Sequence, residues 1–314
     1  MTEKKILEYD TVILGGGPAG LSASIYTARG ALKTAIIDIS MFGGQPSNYL
    51  ELENYPGFSS INGFELMEKF EAHSDKFGPD KYSMQEITDI NLKGEIKTVE
   101  TSEFIFKSKS LIIATGAKPR KLGIPGENEF LSRGVSYCAV CDGAFYKDKI
   151  VAVIGGGNAA VEEGTYLTKF AQKVYIIHRR DSLRADKIAQ ERAFQNEKVE
   201  FIWNTVPVEI KGSNVVETLV LKNVLSGEIS ELPVDGVFPY IGFTPNTNGI
   251  DGQLEQNDAG FIKCNANLET SVEGVFVAGD VRVTPLRQVI TAAADGAVAG
   301  CACVKYLENQ RVKI

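Results

Sequence analysis

Two glycine-rich segments of the same design, at residues 15–20 and 155–160, constrain the fold of this chain more than any other feature. The first reads GGGPAG and the second GGGNAA. Each follows a short apolar run typical of a buried strand and precedes a stretch typical of a helix. Such a turn brings backbone N–H groups and the positive end of the helix dipole to one point, where a pyrophosphate can bind. The sequence therefore predicts two β-α-β units, each with a dinucleotide site.

The order of the predicted elements places the second unit inside the first domain. Residues 117–125, which contain two prolines, and residues 241–246 read as linkers. We therefore expect an α/β protein of two Rossmann-like three-layer dinucleotide-binding domains. The first would comprise residues 1–118 plus 247–314, and the second, inserted into it, residues 119–246.

The first glycine-rich segment is predicted to bind FAD. Asp38 follows the next strand, where a carboxylate can accept hydrogen bonds from ribose hydroxyls. The turns at residues 115–116 (TG) and 279–280 (GD) each end a buried strand, and in a flavoprotein of this design the second would bind the ribityl chain. An ordinary strand-end turn is the alternative for residues 279–280. The candidate FAD residues are Gly15, Gly17, Pro18, Ala19, Gly20, Asp38, Thr115, Gly116, Gly279 and Asp280.

The second segment is predicted to bind NADPH rather than NADH. Where the first copy has Asp38, the second has no acid and is followed instead by an arginine cluster, Arg179, Arg180 and Arg184. A carboxylate there would repel a 2′-phosphate, whereas guanidinium groups bind it bidentately. The alternative is a run of arginines that is merely solvated at the surface. We disfavour it because these arginines follow the second glycine segment at the place where Asp38 follows the first. The candidate NADPH residues are Gly155, Gly157, Asn158, Ala159, Arg179, Arg180 and Arg184.

Cys138 and Cys141 lie one helical turn apart, a spacing that can close a disulfide ring. A zinc site would need four ligands, and the chain has no second Cys-x-x-Cys and only 2 histidines. We therefore predict a redox pair and no metal site. No histidine lies near the pair, so Asp142 is the candidate proton donor to a leaving thiolate; helix capping is the alternative role. The other cysteines read as packing or surface residues: Cys264, Cys301 and Cys303.

Composition narrows the class of partner. The formal net charge of −7 argues against a nucleic-acid partner, which needs a basic face. We find no apolar run of the roughly 18 residues that a membrane span requires, and the charged N-terminal residues are unlike a signal peptide. These features predict a cytoplasmic protein without a membrane or nucleic-acid partner. The two dinucleotide sites and the dithiol indicate electron transfer from a nicotinamide to a disulfide.

Taken together, these motifs resemble the low-molecular-weight thioredoxin reductase family over nearly the whole chain. The matching segments are residues 15–20, 43–45 (GGQ), 53–57 (ENYPG), 114–116 (ATG), 138–143 (CAVCDG), 155–163 (GGGNAAVEE), 178–185 (HRRDSLRA), 279–281 (GDV) and 287–289 (RQV). The resemblance implies a homodimer with FAD in the first domain, NADPH in the second, and thioredoxin as the disulfide substrate.

The resemblance also implies the roles of individual residues. Cys141 would face the flavin, Cys138 would attack the disulfide of thioredoxin, and Asp142 would be the acid. Further FAD contacts are implied for Gly44, Gln45, Asn54, Arg287, Gln288 and Val289. Because the dithiol and the NADPH segment share one domain and both must reach the same flavin, we expect that domain to rotate between half-reactions.

Two alternatives stay open at this point. The partner could be another thioredoxin-like or glutaredoxin-like protein. The chain could also be a flavin redox sensor without turnover, although a sensor would not need two complete cofactor sites and an acid beside the dithiol.

Overall fold

The computed structural model of the chain describes residues 4–48, 52, 54–250 and 252–312. The chain divides into two compact units, Met1–Lys118 with Thr244–Ile314, and Pro119–Phe243. The return to the first unit lies at Thr244, earlier than the predicted residue 247. The reason is local, because Asn246 is already tied to the first unit by a hydrogen bond from its N–H to the carbonyl of Gly116 (2.9 Å).

The regular elements follow in chain order. The strands are β1 (Lys5–Leu14), β2 (Thr34–Ile37), β3 (Asp80–Tyr82), β4 (Ile87–Asn91), β5 (Lys97–Thr101), β6 (Phe104–Ile113), β7 (Ala117–Pro119), β8 (Ile150–Ile154), β9 (Lys173–Ile177), β10 (Val199–Ile202), β11 (Thr205–Gly212), β12 (Val216–Asn223), β13 (Ile229–Pro233), β14 (Gly236–Pro239), β15 (Phe243–Pro245) and β16 (Val275–Val277). The helices are α1 (Pro18–Arg29), α2 (Gly63–Asp75), α3 (Ala139–Asp142), α4 (Asn158–Leu167), α5 (Lys187–Phe194) and α6 (Val289–Val312). The helix α5 was not predicted.

The first unit is built on a sheet with the order β3-β2-β1-β6-β5-β4, in which β16 also pairs with β6. The pairs that join β1, β2, β3, β6 and β16 are parallel, and β5 pairs antiparallel with β4 and β6. Helices α1 and α6 cover one face, where Ile13, Ile36 and Phe276 are buried. The carboxyl ends of parallel strands meet at one edge of a sheet, which is where such folds bind ligands.

The first glycine segment is shaped by close packing between β1 and α1. Gly15 has φ +107°, and a Cβ there would lie 2.3 Å from the carbonyl oxygen of Ala114. A Cβ on Gly20 would lie 1.8 Å from the carbonyl oxygen of Gly15. The nearest neighbour of a Cβ on Gly17 would be the Cα of Gly44 at 3.8 Å. Packing therefore requires glycine at positions 15 and 20, whereas Gly17 leaves room beside the helix N-terminus.

The second unit repeats this design with a smaller parallel sheet, β10-β9-β8-β14. An antiparallel sheet, β11-β12-β13, packs across the core from it, and helix α4 packs on the other face. Gly155 has φ +152°, and a Cβ on it would meet the carbonyl oxygen of Tyr240 at 2.4 Å. A Cβ on Gly157 would meet nothing within 4 Å. The predicted α/β class with Rossmann-like three-layer units is confirmed.

Helix α6 corrects the expectation that no apolar stretch of the chain has the length of a membrane span. Among the described residues, its stretch Val289–Gln310 is long and apolar enough to cross a membrane by length and composition alone, and 39% of that window is buried. Ala299, Cys303 and Leu307 are buried against the sheet, and Gly300 brings α6 close to Tyr26 of α1. Core helices of globular domains have the same character.

We predict that Gly20→Ala destabilises the protein by about 3 kcal/mol or more, because its Cβ would overlap a backbone oxygen that cannot move without displacing the turn. Gly17→Ala is the matched control, and we expect it to change the free energy of unfolding by no more than about 1 kcal/mol. Thermal unfolding of the two apoproteins measures the difference. Equal stability of the two variants would contradict the packing argument.

Candidate active site

A cavity of about 610 Å³ lies in the first unit where the parallel strands end. A second cavity, of about 590 Å³, shares Gly15, Asp38 and Thr115 with it, so the two form one elongated cleft. These volumes lie in the range of small-molecule sites. The predicted FAD residues that line the first cavity are Gly15, Gly17, Pro18, Ala19, Asp38, Gly44, Gln45, Thr115, Gly116, Gly279, Asp280, Gln288 and Val289.

The carboxylate of Asp38 is held in a fixed position at the end of β2. The backbone N–H of Gly16 donates to its Oδ2 at 2.6 Å. The N–H and the hydroxyl of Ser40 both donate to its Oδ1, each at 2.8 Å. The acid is thereby oriented before any ligand binds, as a residue that accepts ribose hydroxyls must be.

Three predicted FAD residues do not line the cavity. Gly20 lies beneath the turn, where it allows α1 to approach β1. Asn54 donates from Nδ2 to Oε1 of Gln288 at 2.8 Å, so it contacts a lining residue. The guanidinium of Arg287 lies 4.2 Å from the centre of the Phe261 ring.

Asn246 is a cavity-lining residue that the sequence analysis missed. Its Nδ2 donates to the carbonyl of Thr115 at 2.8 Å, and the Thr115 hydroxyl donates to the carbonyl of Asn246 at 2.6 Å. Another lining residue, Gln45, donates from Nε2 to the carbonyl of Ala117. Asn246 could not have been found from its position, because no motif marks it and only the return of the chain brings it beside Thr115.

Asp280 is the acid whose electrostatics are most perturbed in this cavity. Burial raises its pKa to about 6, and the negative charge of Asp295 acts in the same direction, while the guanidinium of Arg287 opposes both. Burial also lowers the pKa of Arg287, against the attraction of Asp280. The carboxylate is therefore mostly ionised at pH 7, where it can accept hydrogen bonds from ligand hydroxyls.

The second unit has its own cavity, of about 440 Å³, at the ends of β8 and β9. Of the predicted NADPH residues, Gly155, Arg179 and Arg184 line it, whereas Gly157, Asn158, Ala159 and Arg180 are not among its lining residues. Arg120 also lines it, although the sequence analysis assigned that residue to a linker. Among the described lining residues there is no carboxylate, so the cavity is positively charged.

The arginine-bearing loop is fastened to the second glycine segment. The N–H of Arg184 donates to the carbonyl of Gly156 at 2.7 Å. Asn158 exchanges two hydrogen bonds with Asp186, one from its Nδ2 to Oδ2 and one to its Oδ1 from the Asp186 N–H, each of 2.7 Å. His178 is buried against Gly156. Burial and the charge of Arg184 lower its pKa, so it is neutral at pH 7.

Cys138 is disulfide-bonded and immediately precedes α3. The side chain of Cys141 lies outside the described residues, although its backbone belongs to α3. The N–H of Cys138 donates to the hydroxyl of Ser136 at 3.1 Å, and the N–H of Ala139 donates to the hydroxyl of Tyr240 at 2.6 Å. These bonds hold the start of α3.

Asp142 is half-buried at the end of α3. It stands at the N-cap of the Gly143–Tyr146 turn, yet its side chain makes no capping hydrogen bond there. The capping alternative therefore lacks support, and the role of Asp142 as proton donor stays a prediction. Its charge also acts on Tyr146, whose pKa is raised to about 12, mainly by burial.

The remaining cysteines are free, with Cys264 half-buried, Cys301 exposed and Cys303 buried. Within the described part of the chain, no group of three or more His, Cys, Asp or Glu residues could hold a metal ion.

Comparison with known proteins defines the class. The chain matches the family model "Pyridine nucleotide-disulphide oxidoreductase" over residues 9–296, and it belongs to that family. Its relatives within the family include the thioredoxin reductase of Bacillus subtilis (strain 168), 48% identical over 310 residues, which are 98% of this chain and 97% of the relative. The thioredoxin reductase of Peptoclostridium acidaminophilum is 47% identical over 307 residues, 96% of this chain and 97% of the relative.

Solved structures agree with this assignment. The thioredoxin reductase of Lactococcus lactis, described as being in the FR conformation, superposes with a TM-score of 0.77 at 45% identity, covering 96% of this chain and 99% of that one. The thioredoxin reductase of Streptococcus pyogenes MGAS5005 has a TM-score of 0.79 at 46% identity, with the same coverage of 96% and 99%. The resemblance inferred from the motifs is confirmed.

Proposed function

We propose that this protein is an NADPH-dependent flavoprotein that reduces the disulfide of thioredoxin, with FAD in the first unit and NADPH in the second. The observation that carries the proposal is the disulfide-bonded Cys138 in the same unit as an arginine-lined nucleotide cavity. The near-full-length similarity to thioredoxin reductases supports the choice of substrate.

The residues of the first cavity fit FAD. Gly17 and Gly44 pack against each other, since a Cβ on Gly44 would lie 3.0 Å from the Cα of Gly17. Both line the cavity at the N-terminus of α1, where a pyrophosphate would bind. Asp38 would accept the ribose hydroxyls, and Asp280 those of the ribityl chain. The lining residues Gln45, Gln288 and Val289 would contact the ring, with Asn54 orienting Gln288. Bound FAD would supply a carrier that takes two electrons and passes them on.

The residues of the second cavity fit NADPH. Arg179 and Arg184 line a cavity beside the uncovered Gly157, which suits a 2′-phosphate and a pyrophosphate respectively. Asn158 would act by holding the arginine loop against α4. Arg120 adds a further positive charge that would favour the phosphorylated nucleotide.

The dithiol would carry the electrons to the protein substrate. The thiolate of Cys138 attacks one sulfur of the thioredoxin disulfide, forming a mixed disulfide, and the departing thiolate takes a proton from Asp142. Cys141 then attacks Cys138, which releases reduced thioredoxin and restores the disulfide of the enzyme. Bound NADPH and FAD would supply the two electrons that reduce this disulfide again, and Cys141 would be the sulfur that receives them.

We also propose a homodimer in the cytoplasm. Apolar side chains remain exposed where α1 and α6 pack together, with Tyr26 37%, Ile290 36% and Val298 43% exposed. Burial of these side chains against a second copy would remove them from water. Light scattering that gave the mass of a single chain would contradict this part of the proposal.

We predict that Cys138→Ser abolishes thioredoxin reduction while NADPH still bleaches the flavin, because the variant loses only the sulfur that attacks the substrate. Cys141→Ser should likewise abolish thioredoxin reduction. Anaerobic absorbance and a thioredoxin assay separate the two half-reactions, and Cys301→Ser, at an exposed free cysteine, is the matched control. Undiminished turnover in either variant would refute the dithiol mechanism. NADPH binding without turnover by the unaltered protein would favour a redox sensor.

We predict that Arg179→Ala with Arg184→Ala raises the KM for NADPH about 100-fold while changing that for NADH little, because the two cavity-lining guanidinium groups proposed to bind the 2′-phosphate are lost. Steady-state kinetics with both nucleotides measures the ratio. Arg192→Ala, in the last turn of α5, is the control for a general loss of positive charge. Equal losses with NADPH and NADH would contradict the assignment.

The second unit is proposed to rotate between the half-reactions, because it carries both the nucleotide cavity and Cys138 whereas the first unit carries the flavin cavity. The FR designation of the Lactococcus lactis structure supports distinct conformations in a relative. We predict that an engineered disulfide between the units stops turnover and leaves one half-reaction intact, which stopped-flow absorbance would measure. Full turnover in the oxidised, locked form would refute rotation.

A further inference from the structure

A buried ion pair lies behind the flavin cavity. Asp295, on α6, is only 9% exposed. Its carboxylate accepts two hydrogen bonds from Arg282, from Nε to Oδ2 at 2.6 Å and from an Nη to Oδ1 at 2.7 Å. The backbone N–H of Gly279 donates to the same Oδ2 at 3.0 Å. One carboxylate thus holds both ends of the turn that contains Asp280.

The turn at residues 279–282 needs this anchor because its start is constrained. Gly279 has φ +76°, and a Cβ there would lie 2.9 Å from the Cβ of Ala19, at the start of α1. The backbone N–H of Gly279 is buried, so it would lose a hydrogen bond in a non-polar region without Asp295. A displacement of this turn would move Asp280 relative to the N-terminus of α1, where the pyrophosphate would bind.

We propose that Asp295 is the positioning residue of the FAD site: it fixes the turn that aims Asp280 into the cavity, and through Arg282 it sets the charge around that carboxylate. This inference rests on the proposed function only in taking FAD as the ligand of the first cavity. Nothing in the sequence marks Asp295, which lies in an alanine- and glycine-rich helix.

The charges around Asp280 give the proposal a signature in pH. Arg287 and Arg282 favour its ionised form, whereas burial and Asp295 oppose it; Asp38 and Lys118 line the same cavity. With a pKa of about 6, Asp280 loses its charge as the pH falls through that value, so affinity for hydroxyl donors falls with it. Removal of the Asp295 charge takes away a repulsion that raises the pKa of Asp280, while the attraction to Arg282 remains. The pKa of Asp280 therefore falls.

The test uses Asp295→Asn in the full-length protein, stripped of FAD and titrated with FAD by fluorescence quenching between pH 5 and 8. The side chain of Asn has one oxygen, so it cannot accept the three hydrogen bonds that Gly279 and Arg282 donate to the two oxygens of Asp295. Its NH₂ group would instead face an N–H donor of the guanidinium. We expect the FAD dissociation constant at pH 7.5 to rise about ten-fold and the pH midpoint of binding to move down. Glu308→Gln, the same chemical change at an exposed position of α6, is the control.

A double variant separates positioning from stability. Arg282→Met with Asp295→Leu removes both buried charges, a change that is often neutral for folding. We expect an apoprotein of near-normal melting temperature that still binds FAD about ten-fold more weakly, because Gly279 has lost its acceptor. Normal FAD affinity in the double variant, or an affinity and midpoint in Asp295→Asn equal to those of the control, would overturn the proposal. Failure of the unaltered protein to bind FAD would overturn the proposed function and this inference together.

Discussion

The rest of this structure depends on the close approach of a helix to a strand across a glycine turn. In the first unit, Gly20 lies against the carbonyl of Gly15, which itself adopts a positive φ. This approach directs the N-terminus of α1 towards the edge where the parallel strands end, and there Asp38 and Thr115 line the same cavity. The second unit repeats the turn with Ala160 in the third place, where the Cβ of alanine is accommodated.

The two cavities differ because the residues after the second strand of each unit differ. Asp38 is fixed by the amide of Gly16 and by Ser40, so that site presents an oriented acceptor. In the second unit His178 is kept neutral by burial and by the neighbouring arginines, and the positive charge of the cavity comes from Arg179, Arg184 and Arg120. A common backbone design therefore carries opposite charges, which suits a free ribose in the first cavity and a 2′-phosphate in the second.

Much of the fold and of the candidate site could be predicted from the sequence, since the glycine segments and the residues that end strands are local patterns. The boundaries of helices and strands were harder to predict from the sequence. Strand β1 begins at Lys5, well before the short apolar run that precedes the first glycine segment, because its polar first half is paired with β6. Helix α5 and the role of Arg120 also escaped prediction, because neither carries a periodic or motif signal.

The sequence by itself determined the two dinucleotide turns, the order of the insertion and the chemistry of the residues at the strand ends, because each depends on a short segment and its steric needs. The tertiary structure decided which distant residues complete the first cavity. Asn246 reaches Thr115 only after the chain has returned from the second unit, and Asp295 reaches Gly279 only because α6 packs back onto the sheet. Such contacts arise from the path of the chain, which no local pattern encodes.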